Sequence, residues 1–196
     1  LLGNRERIEK MRSEIEYENE VEIIDLSESK HDKIKDKYAK TFVELRKHKG
    51  LSFKKARQLM NYRNYFGCMM VKQGSADAFI SGYSRSYPEV IKPVLKIIGK
   101  EDGVRKVAAT NLMITSKGPI FLSDTSINID PKFNELAHIA KMTAYTAEVF
   151  GFSPVIAMLS FSNFGSAVHD SVEKVSNAVN LLNRCFPDLT VDGPLQ

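Results

Sequence analysis

Apolar and polar residues follow a helical period over most of the first half of this chain. Residues 31–48 are very polar apart from a stripe of apolar side chains that recur every three or four positions, namely Ile34, Tyr38, Phe42 and Leu45. This spacing predicts an amphipathic helix that Gly50 ends. Similar patterns predict further helices over four segments: 4–18, 52–60, 65–72 and 88–98.

Short apolar runs lie between these helices and predict strands. Four of them are at 21–26, 76–80, 155–161 and 189–191. Two further runs, 107–115 and 120–122, flank a polar turn at 116–119 and predict a β-hairpin. Because helices otherwise alternate with strands, the pattern predicts an α/β fold with mostly parallel sheets and one antiparallel edge.

The helices of the second half begin at capping signals in the sequence. Asp130 followed by Pro131 predicts the start of a long helix that Gly151 ends. Asp170 and Glu173 stand at the spacing of a capping box and predict the start of the last helix.

The composition is that of a globular chain with room for two small domains. Its 196 residues are 43% hydrophobic and carry a net charge of +4, with basic residues spread among acidic ones. This balance argues against nucleic acid as a partner, but it suits a phosphate-bearing small ligand. A polar, glycine-flanked segment at 99–106 predicts the boundary between a first domain, 1–103, and a second domain, 104–196, that contains the hairpin.

Several other classes of protein find no support in the sequence. No apolar run approaches the roughly 20 residues of a membrane span, and there is no secretory signal, so we expect no membrane partner and a cytoplasmic location. Cys68 and Cys185 lie far apart in apolar helical patterns, which predicts core thiols in a reducing compartment. The chain starts at Leu1 without an initiator methionine, which suggests a fragment of a longer polypeptide.

The histidines and glycines form no familiar catalytic or cofactor motif. His31 and His48 lie in charged helical segments where we expect them to be solvated, and no pair of histidines has the spacing of metal ligands. The sequence contains neither a GxGxxG nor a Walker A pattern. It therefore predicts no metal site, no Rossmann site and no nucleoside-triphosphate site.

Three polar loops follow predicted strands, at 81–87, 123–130 and 160–167. In a parallel sheet such loops lie at one edge, where ligands bind, and a loop that opens a helix favours an anion. The loops offer small hydrogen-bond donors that we predict to bind a ligand: Ser81, Gly82, Ser84, Ser86, Ser160, Ser162, Asn163, Gly165 and Ser166. Each loop alone also fits an ordinary strand-to-helix connection.

Three cations accompany these loops and could neutralise a phosphate: Arg46, Arg85 and Lys92. A guanidinium suits phosphate because it is planar and donates two parallel hydrogen bonds. A solvated surface charge is the competing interpretation for each cation taken alone.

Six segments, in the right order and spread over the whole chain, resemble the phosphate acetyltransferase family. They are 42–50, 69–77, 80–82, 157–162, 187–189 and 192–196. Within that family, residues 86–93 and 162–166 look more like the transacetylase-like C-terminal domain of large bacterial malic enzymes. Stand-alone transacetylases usually carry Thr-Lys where Asn163-Phe164 stand in this chain.

The resemblance implies a fold and a ligand. The fold is two αβα-sandwich subdomains with a cleft between them, of the isocitrate/isopropylmalate dehydrogenase type. Coenzyme A or acetyl-CoA would bind in the cleft, and a homodimer would form through the second subdomain. Arg46 matches a family arginine associated with coenzyme A. Lys92 stands where active transacetylases usually have an arginine, so the charge is kept and the bidentate fork is lost.

The resemblance leaves three functions open. The favoured hypothesis is a regulatory domain of a bacterial malic enzyme, which would bind acetyl-CoA and promote a higher homo-oligomer. The parent would oxidatively decarboxylate malate to pyruvate, with NADP and a divalent metal bound outside this chain. The alternative is a catalytic phosphate acetyltransferase that converts acetyl-CoA and phosphate to acetyl phosphate and coenzyme A, and a third is a butyryl- or other acyl-specific transferase. The family's proton-accepting aspartate would follow Gln196, so no catalytic residue is assigned here.

Overall fold

A computed structural model describes residues 1–17, 19–104, 106–164 and 166–196. The chain divides into two compact units, Leu1–Glu101 and Asp102–Gln196. None of the described helices is long and apolar enough to cross a membrane.

The first unit is mainly helical. Two short 3₁₀ turns, Ser29–His31 and Lys47–Lys49, flank its second helix. Its helices in chain order are α1 Arg5–Glu14, α2 Asp32–Leu45, α3 Phe53–Leu59, α4 Arg63–Lys72 and α5 Tyr87–Ile97.

Helix α2 confirms the prediction from the apolar stripe. Tyr38 and Phe42 are each 1% exposed, and the ring of Tyr38 lies 5.1 Å from that of Phe66 on α4. Burying an aromatic side chain of this size contributes about 1.5–3 kcal/mol. The helix ends at Leu45, earlier than predicted, and Gly50 instead ends the 3₁₀ turn Lys47–Lys49 with a φ of +65°, a left-handed conformation that glycine adopts without strain. The stripe therefore forms the centre of the core of this unit.

Two predicted strands of the first unit are wrong. Residues 21–26 contribute only a single parallel bridge, between Ile24 and Leu2, and residues 76–80, all of them described, form no strand. Ile80 is 96% exposed. An apolar run becomes a strand only where a neighbouring strand satisfies its backbone, and the local pattern does not report that partner.

Helix α1 is shorter and more exposed than its pattern predicts. Asn4 caps the helix by accepting a hydrogen bond from the Arg7 N–H, and the helix ends at Glu14. Two apolar residues of its predicted face remain exposed, Met11 at 54% and Ile15 at 70%. Within this unit, α1 therefore contributes no buried residue.

A network of charged groups ties the start of α1 to the segment that follows it. The carboxylate of Asp25 accepts hydrogen bonds from the backbone N–H groups of Ser27 and Arg5, and these hold its pKa at about 2. Glu28 accepts from the Arg5 guanidinium at 2.8 Å and pairs with Lys30, which holds its pKa at about 2 as well. Both carboxyls are thus stabilised in their charged form.

His31 is not solvated as the sequence analysis predicted. Its side chain is only 16% exposed, and Nε2 lies 3.5 Å from the carboxylate of Glu28. The 3₁₀ turn before α2 carries the imidazole against the charged network rather than into water. The part of the chain that the structure describes holds no group of three side chains suited to a metal ion.

The second unit is built from both helices and strands. Its elements in chain order are β1 Thr110–Thr115, β2 Gly118–Ser123, α6 Phe133–Val149, β3 Val155–Leu159, α7 Asp170–Cys185 and β4 Thr190–Leu195. Strands β1 and β2 form the predicted antiparallel hairpin, with Thr110 opposite Ser123 and Thr115 opposite Gly118. The hairpin prediction is therefore confirmed.

Strands β3 and β4 form a parallel pair, as the alternation of elements predicted. Val155 pairs with Thr190 and Leu159 with Leu195, with an irregularity in between. The strands approach closely at Gly193, where a Cβ atom would lie 2.5 Å from the carbonyl oxygen of Met158. The described residues form two separate sheets of two strands each, one antiparallel and one parallel, so the prediction that the hairpin is the edge of a mostly parallel sheet is wrong. The α/β class itself is confirmed.

Both helix starts in the second unit differ from the predicted caps. Helix α6 has Lys132 rather than Asp130 at its N-cap, and the Lys132 N–H donates to the Glu135 carboxylate at 2.9 Å. Helix α7 is capped by His169, whose Nδ1 accepts from the Ser171 N–H. His169 has the extended backbone that an N-cap requires, with φ −158° and ψ 144°.

Helix α7 supplies the centre of the second core. Ala178 and Leu182 are fully buried, and they pack with Met158 of β3. Apolar residues of α6 divide between this core and the surface, since Val149 is 67% and Phe150 58% exposed. The apolar residues of α7 are thus covered within the unit, whereas the end of α6 is not.

The two cysteines have different environments. Cys68 is buried, and burial raises the pKa of its thiol to about 11. Cys185 is exposed at the end of α7. The prediction of a core thiol is confirmed for Cys68 and wrong for Cys185, because the final turn of α7 extends past the core.

Candidate functional site

The serine loop, residues 81–86, lies on the surface before α5. Every residue in it is exposed, and Gly82 has a φ of +134° with open space where a Cβ atom would be. The Ser81 hydroxyl donates to Asn64 Oδ1 at 2.9 Å, and Asn64 Nδ2 donates to the Glu89 carbonyl at 3.0 Å. Asn64 therefore joins the serine loop to α5.

The last residue of the serine loop has a structural task. Ser86 is the N-cap of α5, and its N–H and hydroxyl both donate to Glu89 Oε2, at 3.1 and 2.8 Å. These bonds lower the pKa of Glu89, and Arg85 adds a weaker attraction from 3.8 Å. Of the predicted donors in this loop, Ser84 and Gly82 remain open to solvent, while Ser86 is committed to the cap.

A cleft of about 740 Å³, the basic cleft, opens beside the serine loop within the first unit. It contains Arg85 and Lys92, two of the three predicted cations. Its lining is Lys55, Gln58, Leu59, Asn61, Tyr62, Arg63, Asn64, Tyr65, Arg85, Glu89, Lys92 and Pro93. Four of these residues are cations and one is a carboxylate, so the cleft favours an anion.

Arg46, the third predicted cation, does not line the basic cleft. It lies half-buried at the C-cap of α2. Lys55 and Arg63 were missed by the sequence analysis. They lie on α3 and α4, which a short turn joins, and only the angle of that turn brings both residues to one cleft. The signal that could have found them is a pair of cations on either side of the turn in a short helix–turn–helix segment.

The loop after β3 belongs to the second unit. Ser160 N–H donates to the Leu195 carbonyl at 2.7 Å, and Asn163 Oδ1 accepts from the Gln196 N–H at 2.6 Å. Ser162 is buried, with its hydroxyl 2.8 Å from that of Ser166. Ser160 and Asn163 therefore hold the loop to the end of the chain, whereas Ser162 and Ser166 bond to each other within the loop.

The same loop contains a strained residue. Phe164 has a φ of +44°, a left-handed conformation that is uncommon for a bulky side chain, and its N–H donates to the Pro194 carbonyl. Gly165, predicted as a donor, lies outside the described residues.

A hydrogen-bonded segment also follows the hairpin of the second unit. Asn128 Nδ2 donates to Asp124 Oδ1 at 2.8 Å and to the Val107 carbonyl at 3.2 Å. The loop at 123–130 begins at the end of β2, so it follows a strand as predicted. The serine loop does not, since residues 76–80 form none. The edge-of-sheet argument fails for the serine loop, which is placed by helices α4 and α5 instead.

Comparison with known proteins decides the family. The sequence matches the family model described as "Phosphate acetyl/butaryl transferase" over residues 1–196, its whole length. The chain belongs to this family.

Individual members of the phosphate acetyl/butaryl transferase family agree in sequence and in fold. The phosphate acetyltransferase of Thermoanaerobacterium thermosaccharolyticum is 37% identical over 203 residues, which cover all of this chain and 61% of that protein. The phosphate acetyltransferase of Bacillus subtilis is 41% identical over 155 residues, 79% of this chain and 48% of that protein. A phosphotransacetylase structure from Streptococcus pyogenes matches with a TM-score of 0.83 and 36% identity, over all of this chain and 59% of that one.

These findings overturn the favoured functional hypothesis. The similar proteins are named phosphate acetyltransferase, and the structural matches are phosphotransacetylases, so the assignment to a malic enzyme was wrong. The expectation that the parent protein is an oxidoreductase was therefore wrong as well. The local likeness at 86–93 and 162–166 was outweighed by the match over the whole chain. The chain spans from 28% to 61% of the length of the first three relatives that it matches in full.

Proposed function

We propose that the full-length protein containing this chain is a phosphate acetyltransferase, which moves an acetyl group between coenzyme A and inorganic phosphate. The observation that carries the proposal is the family match over all 196 residues, together with relatives named for this activity. The basic cleft supports it, because both substrates of the reaction carry phosphate.

The proposed reaction has a simple balance of bonds. In the direction of acetyl-CoA synthesis, the thiol of coenzyme A loses its proton to a base, and the sulfur attacks the carbonyl carbon of acetyl phosphate. A C–S bond forms, and the C–O bond to phosphate breaks with its electron pair, which releases inorganic phosphate. Negative charge therefore gathers on the phosphate as it leaves, where nearby cations stabilise it. No described residue is proposed as the base.

Proposed roles follow from the placement of the cations. Lys92 and Arg85 line the basic cleft, and we assign them to the phosphate of a substrate. Arg46 is proposed to bind coenzyme A, on the family resemblance alone. The serine loop supplies neutral donors, with Ser81 held in place by Asn64.

We also propose a finer architecture for the second unit, an αβα sandwich. Helices α6 and α7 pack on the β3–β4 sheet, whose other face exposes Val155 at 80% and Leu159 at 66%. Parallel sheets are normally covered on both faces, which supports a further layer there. The exposed end of α6 supports a second proposal, that it takes part in a homodimer of the full-length protein.

The experiment that tests the function is an assay of the full-length protein with acetyl phosphate and coenzyme A, following thioester formation. Lys92→Gln should lower kcat/KM about tenfold or more, since it removes a charge-assisted contact of about 1.5–3 kcal/mol. Lys72→Gln, an exposed lysine of α4 outside the cleft, is the matched control. Absence of thioester formation by the wild-type protein would refute the function, and equal rates for both variants would remove Lys92 from the site.

A further inference from the structure

The basic cleft holds more positive charge than its own carboxylate balances. Glu89 is the one acid in its lining, and Ser86 and Arg85 already engage that carboxylate. Lys55, Arg63 and Lys92 form no ion pair within the described part of the chain. Like charges in one cleft repel each other, so an anion bound there is stabilised by all of them.

Several other cations of the first unit, by contrast, are paired with acids. Arg57, on the same helix as Lys55, lies 2.7 Å from Asp32 and also pairs with Asp36. Lys35 pairs with the same Asp32 at 3.2 Å. Acids therefore neutralise Arg57 and Lys35, whereas Glu89 is the one acid beside the four cations in the lining of the basic cleft.

The size and lining of the basic cleft suit a small ligand. Its volume of about 740 Å³ lies within the range of small-molecule sites, roughly 300–1,000 Å³. Side-chain amides and phenols add neutral donors, and Leu59 and Pro93 add apolar surface. Tyr62, the N-cap of α4, makes no side-chain capping bond, so it leaves the first N–H groups of that helix uncapped beside Arg63.

We propose that the basic cleft binds a phosphate group of the substrate, and that Arg63 and Lys55 set the affinity for it. Arg63 offers a planar fork of donors that matches a phosphate, whereas Lys55 and Lys92 act as point charges. The identity of the ligand rests on the proposed function. Inorganic phosphate and coenzyme A share the required chemistry, and the experiment below separates them.

The test compares variants of the full-length protein by equilibrium binding. Coenzyme A is titrated by calorimetry, and inorganic phosphate by ³¹P nuclear magnetic resonance. Arg63→Gln should weaken at least one probe about tenfold to a hundredfold, from the strength of charge-assisted hydrogen bonds. Lys55→Gln and Arg63→Lys should give smaller losses of the same probe. Lys54→Gln, an exposed lysine on α3 that does not line the cleft, should leave both affinities unchanged.

The pattern of losses identifies the ligand. A loss confined to inorganic phosphate assigns the cleft to the phosphate that exchanges with the acetyl group, and a loss confined to coenzyme A assigns it to the phosphates of that cofactor. Both outcomes support the proposal. Affinities for both probes that stay within about twofold of wild type in Arg63→Gln and Lys55→Gln would overturn it. Arg63 is exposed, so a circular-dichroism spectrum like that of wild type is expected for each variant.

Failure of this proposal is distinguishable from failure of the proposed function. Arg63-dependent binding in a protein that forms no acetyl-CoA would refute the function and leave the cleft assignment standing. Acetyl-CoA formation by Arg63→Gln with unchanged KM for both substrates would refute the cleft assignment and leave the function standing.

Discussion

The effect of Gly67→Ala on the free energy of unfolding should have opposite signs in the presence and in the absence of the Phe79 ring. Gly67 is buried in α4, and a Cβ atom there would lie within 2.8 Å of three ring atoms of Phe79. Ordinary contacts begin at 3.4 Å, so the ring must retreat by about 1 Å. Overpacking of this kind costs about 1–3 kcal/mol, whereas alanine in place of glycine within a helix gains about 1 kcal/mol.

The free energy of unfolding of four proteins tests this reasoning: wild type, Gly67→Ala, Phe79→Ala and the double variant. In the wild-type background Gly67→Ala should destabilise by up to about 2 kcal/mol, and with the ring removed it should stabilise by about 1 kcal/mol. Urea unfolding of the full-length protein measures both differences. The same sign in both backgrounds would show that the ring does not occupy this position. Phe79 leads into the serine loop, so Gly67→Ala should also raise KM.

Three further predictions concern the loop, the charged network and assembly. Asn64→Ala should speed hydrogen exchange in the serine loop because the two hydrogen bonds that join the loop to α5 are lost. Asn61→Ala, which alters the same cleft without removing either bond, should not. Asp25 and Glu28 have folded-state pKa values of about 2, below their ordinary values, so their contribution to the free energy of unfolding should persist above about pH 4 and fall as the pH drops towards 2. A urea midpoint that stays constant between these two pH values would contradict this. Val149→Glu should convert the proposed dimer to a monomer by light scattering, and an unchanged mass would remove this face from the interface.

Local signals predicted the helices well and the strands poorly. The apolar stripe of α2 lies within one element, so Tyr38 and Phe42 could be assigned to a core from spacing alone. The run at 76–80 has the composition of a strand, but strand formation depends on a partner distant in sequence. The pairing at Gly193 also depends on a distant partner, because the strand that it approaches closely lies more than 30 residues earlier in the chain.

The candidate site was predictable only in part. Arg85 and Lys92 were predicted because they lie in and just after a polar loop, and both line the basic cleft. Arg63 and Lys55 were missed because each looks like an ordinary helix-surface charge until the turn between α3 and α4 is known. Ser86 has the chemistry of a ligand donor, but its hydroxyl donates to Glu89, three residues later, in the capping box of α5.

The most direct test of the proposed function is the exchange of isotopically labelled inorganic phosphate into acetyl phosphate by the full-length protein. A phosphate acetyltransferase must catalyse this exchange only when coenzyme A is present, because the acetyl group has to pass through the thioester. The proposed function predicts labelled acetyl phosphate in the presence of coenzyme A and none in its absence. Release of phosphate from acetyl phosphate without any coenzyme A-dependent exchange would contradict it.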